Sequence, residues 1–271
     1  MRIPAAIRLV HPAPAAAVTA LSAILALVIA IQNGAVPVTR VLLVVLSVAG
    51  SQIATGALND WADRHRDRNA RPEKPIPASE ISPAAALRVA ALGIGLQLGG
   101  SLPLGALPTT LGLAALASAA AYDLGLSRTP ASVIPYLVSF GLLPLWIAAG
   151  LGVPLDRVLL AVPLIAPFAA AAHLANTLRD WDADAAGGSR SLSQVLGRQA
   201  SRRTALVLAL GTGLAAGALA LWAGRLGVTT AVLGVIGLLA VAQGARSAGA
   251  LWYGILAAAV LWAAAWALST G

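Results

Sequence analysis

The chain has 271 residues, of which 59% are hydrophobic and only 10% charged, and its mean hydropathy is +0.84. These values exclude a disordered chain and a water-soluble globule, and ~20 residues per membrane crossing leave room for up to about ten helices. A formal charge of +8, from 18 basic and 10 acidic residues, reports membrane topology rather than nucleic-acid binding, and the lack of cysteine excludes disulfides, thiolate metal sites and cysteine nucleophiles.

Apolar runs cut by Pro, Gly or charge predict helices at residues 14–31, 36–58, 83–100, 104–122, 131–151, 155–178, 200–222, 227–242 and 249–268. The first follows Arg2 and Arg8 as a signal peptide would. Because further apolar segments succeed it, it is read as a membrane helix. The eighth is short, so the expected architecture is an all-α membrane bundle of about nine transmembrane helices, one domain over residues 1–271. Its 27 glycines suit close helix packing in lipid.

The basic residues orient this bundle. The N-terminus and the loops after helices two, four, six and eight carry Arg2, Arg8, Arg64, Arg66, Arg68, Arg71, Lys74, Arg128, Arg179, Arg190, Arg198, Arg202, Arg203 and Arg246, with Arg88 near the same face; the other side has only Arg40, Arg157 and Arg225. Cytoplasmic loops collect Lys and Arg, so the N-terminus belongs in the cytoplasm and the C-terminus outside.

Most of the ten acidic residues fall in two windows, 59–80 and 176–203, both on the expected cytoplasmic side. Where helix two leaves the membrane, Asp60, Asp63 and Asp67 are spaced by three and four, which stacks them on one helical face with Asn59 alongside. Three like charges on one face repel unless a cation sits among them. Carboxylate and amide oxygens suit a hard ion such as Mg²⁺, which shares its shell with substrate phosphates. In the second window Asn176, Asp180 and Asp184 are four apart and share a face as well, whereas Asp182 points about 160 degrees away, toward solvent or an arginine. Arg64, Arg66, Arg68, Arg71, Lys74, Arg179 and Arg190 interleave these acids. Two carboxylate clusters with cations form a site for a diphosphate held through metal. Arg66, Arg198, Arg202 and Arg203 are read as topology markers or lipid-facing charges.

Asn59-Asp60-x-x-Asp63-x-x-x-Asp67, followed by Arg71-Pro72 and Lys74-Pro75-Ile76-Pro77, resembles the first signature of the UbiA family of intramembrane prenyltransferases. Asn176-x-x-Arg179-Asp180-x-x-x-Asp184, followed by Gly188, resembles the second. The opening Arg8-Leu9-Val10-His11-Pro12 is similar to the family's, with His11 where arginine is usual. A third element, Tyr122-Asp123-Leu124-Gly125-Leu126-Ser127-Arg128, has Ser127 in place of the expected lysine, and Ala78-Ser79-Glu80 replaces a usual Ser-Gly. The resemblance implies that Asp60, Asp63, Asp67, Asp180 and Asp184 are catalytic and bind Mg²⁺ holding an isoprenoid diphosphate. Asn59 and Asn176 would coordinate or orient, Arg71, Lys74 and Arg179 would contact phosphate, and Tyr122 and Arg128 would complete the substrate site.

Gln52, Thr55 and Asn59 form a polar stripe descending into the bundle, and His173 lies on the face of Asn176 and Asp180; these are candidates for an acceptor pocket, since polar residues within the membrane face the interior. The activity expected is Mg²⁺-dependent prenyl transfer to an aromatic or quinone-like acceptor among membrane lipid, on the cytoplasmic side of the cell membrane. The alternative is a UbiA-type terpene cyclase acting on the same diphosphate without an acceptor. A transporter places ionisable residues near the midplane, and these helices carry almost none there.

Overall fold

The computed structural model describes residues 4–269, so Arg2 lies outside the described residues. Within them the elements in chain order are α1 (Ala5–Leu9), α2 (Pro12–Gln32), α3 (Val38–Ala70), α4 (Pro83–Ser101), α5 (Ala106–Leu124), α6 (Ile134–Leu151), α7 (Val162–Arg179), α8 (Trp181–Ala186), α9 (Leu192–Leu196), α10 (Arg198–Trp222), α11 (Val228–Ala242) and α12 (Ala248–Leu268). The nine longer helices match the predicted runs in order. Eight of the helical stretches are long and apolar enough to cross a membrane. The ninth, α5, falls short because Thr109, Thr110, Tyr122 and Asp123 interrupt its apolar run.

Local sequence sets the ends that matter. No Pro or Gly interrupts residues 57–71, so α3 runs 33 residues without a break, well past the apolar run predicted to end at 58. It stops at Arg71 because the residue before Pro72 disfavours helical backbone. The chain then turns through the prolines and re-enters at α4, where the Ser82 hydroxyl accepts the Ala85 N–H at 3.1 Å and Pro83 occupies the first turn.

The N-terminal segment, α3 and α4 position the site through close backbone contact. A Cβ at Gly93 would stand 2.5 Å from the Ala54 nitrogen, and one at Gly100 would stand 2.6 Å from the Leu43 carbonyl oxygen. Only glycine lets α4 lie this close to α3. A Cβ at Gly56 would meet the Val10 carbonyl oxygen at 2.7 Å. The chain entering α2 therefore rests on α3 one turn below Asp60.

Three apolar cores fill the bundle, the smallest being Leu9, Ala57, Ala86 and Ala90 between α1, α3 and α4. Ile29, Val44, Val48, Trp146 and Ile147 join α2, α3 and α6, while Leu174, Leu178, Leu251 and Ile255 join α7 to α12. α12 packs on both α2 and α7, which closes the ring. Large apolar side chains such as Leu42, Val207, Leu214 and Val228 remain outward and exposed, as lipid-facing positions require.

Candidate active site

The continuous α3 puts Asp60, Asp63 and Asp67 on one face, and all three are buried, at 2%, 6% and 1% exposure. Burying a carboxylate costs several kcal/mol unless it is paired, and each is paired. Lys74 Nζ lies 2.8 Å from Asp60 Oδ1 and 2.7 Å from Asp67 Oδ2. His11 Nε2 also approaches Asp60 Oδ1, at 2.9 Å. Arg66 and Arg128 hold the two oxygens of Asp63 at 2.7 Å and 2.8 Å.

His11 reaches Asp60 from a left-handed backbone conformation, φ 51°, at the start of α2. Uncommon for a residue other than glycine, this geometry is set by the close pass of Val10 over Gly56. The Lys74 contact depends on the Pro-rich turn that folds residues 71–81 back over the end of α3, where the Lys74 N–H bonds the Arg71 carbonyl.

The second window meets the first. Arg71 at the end of α3 lies 2.9 Å from Asp180, and Arg66 Nη1 lies 3.7 Å from Asp184 while its other nitrogen holds Asp63. Arg66 was read from sequence as a topology marker; the structure corrects this, because the helix continues far enough to carry it between the two carboxylate groups. The expected continuous helix through Asn176, Asp180 and Asp184 is also corrected. α7 ends at Arg179, Asp180 adopts φ −96° and ψ 12°, and α8 restarts at Trp181. Asp184 is nonetheless tied to Asp180 through its backbone N–H at 3.0 Å, and Asn176 stands half-buried one turn before Asp180. Asp182 points outward and pairs with Arg198, as the helical angle predicts.

Burial pushes the Asp184 carboxyl above the ordinary range, with Asp180 and Asp63 adding to the rise and Arg66 and Arg71 opposing it. A cavity of about 390 Å³ opens over this ground, lined by Arg8, His11, Asp60, Arg71, Lys74, Arg179 and Asp180 among others.

Among the described residues no three histidine or acidic side chains converge around one point, because basic side chains stand between the aspartates. The donors nevertheless fit a hard cation. They are carboxylate oxygens, and Asp60 Oδ2 is buried with no hydrogen-bond partner.

The other candidates divide. Arg179 lines the cavity and lies against its neighbour Asp180 at 3.4 Å. Tyr122 packs edge-on against Tyr136 and His173, with ring centres 5.4 Å and 5.9 Å apart. His173 is fully buried and its Nε2 lies 3.0 Å from the Ser132 hydroxyl, which also accepts the Leu192 N–H, so it ties α7 to the turn before α6 and to α9. Thr55 bonds its own helix through the Ser51 carbonyl.

Sequence reasoning missed Asp123. It is buried at 6% exposure, and its Oδ1 accepts a hydrogen bond from Asn59 Nδ2 at 3.1 Å. An acid closing an otherwise apolar helix was the available signal.

Comparison with known proteins places these features in context. The profile of the UbiA prenyltransferase family matches residues 17–247. A digeranylgeranylglyceryl phosphate synthase from Methanoculleus marisnigri is 34% identical over 206 residues, covering 73% of this chain and 70% of the relative. An apo UbiA homologue from Aeropyrum pernix superposes with a TM-score of 0.73 at 22% identity, over 91% of this chain and 96% of that one. A UbiA homologue from Archaeoglobus fulgidus bound to GPP and Mg²⁺ gives a TM-score of 0.70 at 18% identity, over 98% of this chain and 99% of that one.

Proposed function

This chain belongs to the UbiA prenyltransferase family, and on that premise we propose that it moves a prenyl group from an isoprenoid diphosphate to a hydrophobic, aromatic or quinone-like acceptor, with Mg²⁺ as cofactor. It is an integral multi-pass membrane protein. In this reading the site opens on the cytoplasmic side, where the basic residues concentrate. The observation that carries the proposal is Arg66 touching Asp63 of one acidic window and Asp184 of the other. The two stretches, more than a hundred residues apart, also share one cavity, through Asp60, Arg71 and Lys74 on one side and Arg179 and Asp180 on the other.

Asp60, Asp63, Asp67, Asp180 and Asp184 would hold the cation. Bound there, a divalent ion neutralises diphosphate oxygens and stabilises the charge that grows as the leaving group departs. Lys74 is nearly buried and Arg71, Arg128 and Arg179 are partly exposed, and all four already face carboxylates, so exchanging a carboxylate partner for a phosphate keeps charge-assisted hydrogen bonds of the same kind. Their fixed positions stabilise the leaving group without reorganisation during the reaction. Asn59 and Asn176 would coordinate or orient at this end of the site, Asn59 through its bond to Asp123. Below the polar rim, the apolar bundle would keep water from the allylic carbon as its bond to oxygen breaks, and the packed rings of Tyr122, Tyr136 and His173 lie on that side of the site.

The name of the Methanoculleus relative favours a second acceptor class, a glyceryl phosphate lipid. Arg8, which lines the same cavity, would supply a cation for a second phosphate. Purified protein in lipid nanodiscs, given an isoprenoid diphosphate with each acceptor in turn, tests these readings. Prenylated acceptor and diphosphate should form with Mg²⁺ and cease with EDTA. Turnover undiminished by EDTA would overturn the metal reading, and a cyclic product formed without acceptor would make the protein a cyclase.

A further inference from the structure

Asp123 closes α5, outside both acidic windows, yet its carboxylate faces α3, as the Asn59 hydrogen bond shows. Asn59 satisfies Oδ1 alone. Oδ2 is buried and has no partner. Asp63, Asp60 and Lys74 are charged groups close enough to act on it. Two of these carry its own sign, and Lys74 is already engaged with Asp60 and Asp67. An uncompensated buried carboxylate next to two others is strongly unfavourable, and a second unpartnered oxygen, Asp60 Oδ2, is buried on the adjoining helix. The aspartate Oδ2 atoms of Asp60 and Asp123 are thus the two buried side-chain carboxylate oxygens left without a hydrogen bond among the described residues, and they belong to neighbouring helices. Sequence on α5 sharpens the imbalance. Ser127 is neutral, and Arg128 spends its guanidinium on Asp63.

We propose that Asp123 is a further carboxylate of the divalent-cation site, supplied by α5 and oriented by Asn59, so that the ion is gripped from three helical elements rather than two. The inference rests on the divalent-cation reading above. With Asp123 included, α3's polar end presents two buried carboxylate oxygens without a hydrogen-bond partner, and a divalent ion would satisfy both.

Mn²⁺ serves as a paramagnetic stand-in for Mg²⁺. Its binding to the purified full-length protein in nanodiscs, read by electron paramagnetic resonance without diphosphate, is compared for wild type, Asp123→Asn, Asp123→Ser and the exposed control Asp182→Asn. Wild type and the control should bind alike, and both Asp123 variants should bind at least about tenfold more weakly, the lower limit for losing even an outer partner of a metal ligand. Without metal, Asp123→Asn should melt no lower than wild type, since the neutral amide is cheaper to bury than a carboxylate and keeps an oxygen for the Asn59 hydrogen bond. Unchanged Mn²⁺ affinity in both Asp123 variants would overturn this inference while leaving the cation reading intact. A wild type that binds no Mn²⁺ would overturn the cation reading itself.

Discussion

The two acidic windows are built differently. On α3 the three aspartates ride one unbroken helix, are buried, and are clamped by Lys74, His11, Arg66 and Arg128. On the other side the helix breaks at Asp180, the Asp180 and Asp184 side chains keep 23% and 18% exposure, and their partners are arginines reaching across from α3. The first window is preorganised and the second is hinged onto it. In our account the α3 aspartates fix where the cation sits, and Asp180 and Asp184 complete the grip on the diphosphate from the other side.

Removing a charge from each side separates these roles. Asp63→Ala should lower turnover by about a thousandfold or more, because it removes a ligand and frees two guanidinium groups at once, while the protein still inserts and binds detergent normally; single charge-stabilising groups are worth ~10²–10³ in rate. Asp180→Ala should cost about a hundredfold, at the lower end of that range, and much of the loss should appear as a raised KM for the diphosphate. Steady-state kinetics on both variants would collapse the distinction if the losses were equal and confined to kcat.

Lys74→Met tests the preorganised side through stability. It strands Asp60 and Asp67, and breaking a buried pair costs about 3–5 kcal/mol. Denaturation without metal should reveal that loss, and added Mg²⁺ should recover part of it. Asp182→Ala sits at the opposite extreme, since its side chain is 87% exposed and its pairing with Arg198 lies at the surface. It should change stability by less than about 0.5 kcal/mol.

The smallest effect concerns acidity on the hinged side. Because burial and neighbouring acids raise the Asp184 carboxyl above its unfolded value, the folded protein takes up that proton first. Metal-free stability from this group is therefore gained as pH falls through the raised value and lost as pH rises past it. Asp184→Asn should flatten that slope in thermal melts. Metal binding at Asp184 runs the other way, needing the ionised form and weakening as pH drops.

How far the sequence foretold this difference follows from range. The shared face of Asp60, Asp63 and Asp67 is a matter of helical period and was legible, whereas the apolar run ended at 58 and hid the polar turns that carry α3 on to Ala70. The helix order and the family followed from apolar runs and the signature motifs. The break at Asp180 was not legible, since neither Pro nor Gly marks it. Arg66 was misread because its second contact, to Asp184, is tertiary. Asp123 escaped for the same reason, being joined to the site by Asn59, 64 residues away in the chain. Hydropathy placed nine helices and could not tell that α5 ends in a carboxylate turned toward α3.

The most direct test is a structure with Mn²⁺ and an unreactive thiolo analogue of an isoprenoid diphosphate, with the metal located by its anomalous scattering. The account predicts manganese within roughly 2.0–2.2 Å of carboxylate oxygens from both Asp60–Asp67 and Asp180–Asp184, with the diphosphate between them and near Arg71 and Lys74. Manganese bound by one window alone, or a diphosphate lodged away from both, would contradict it.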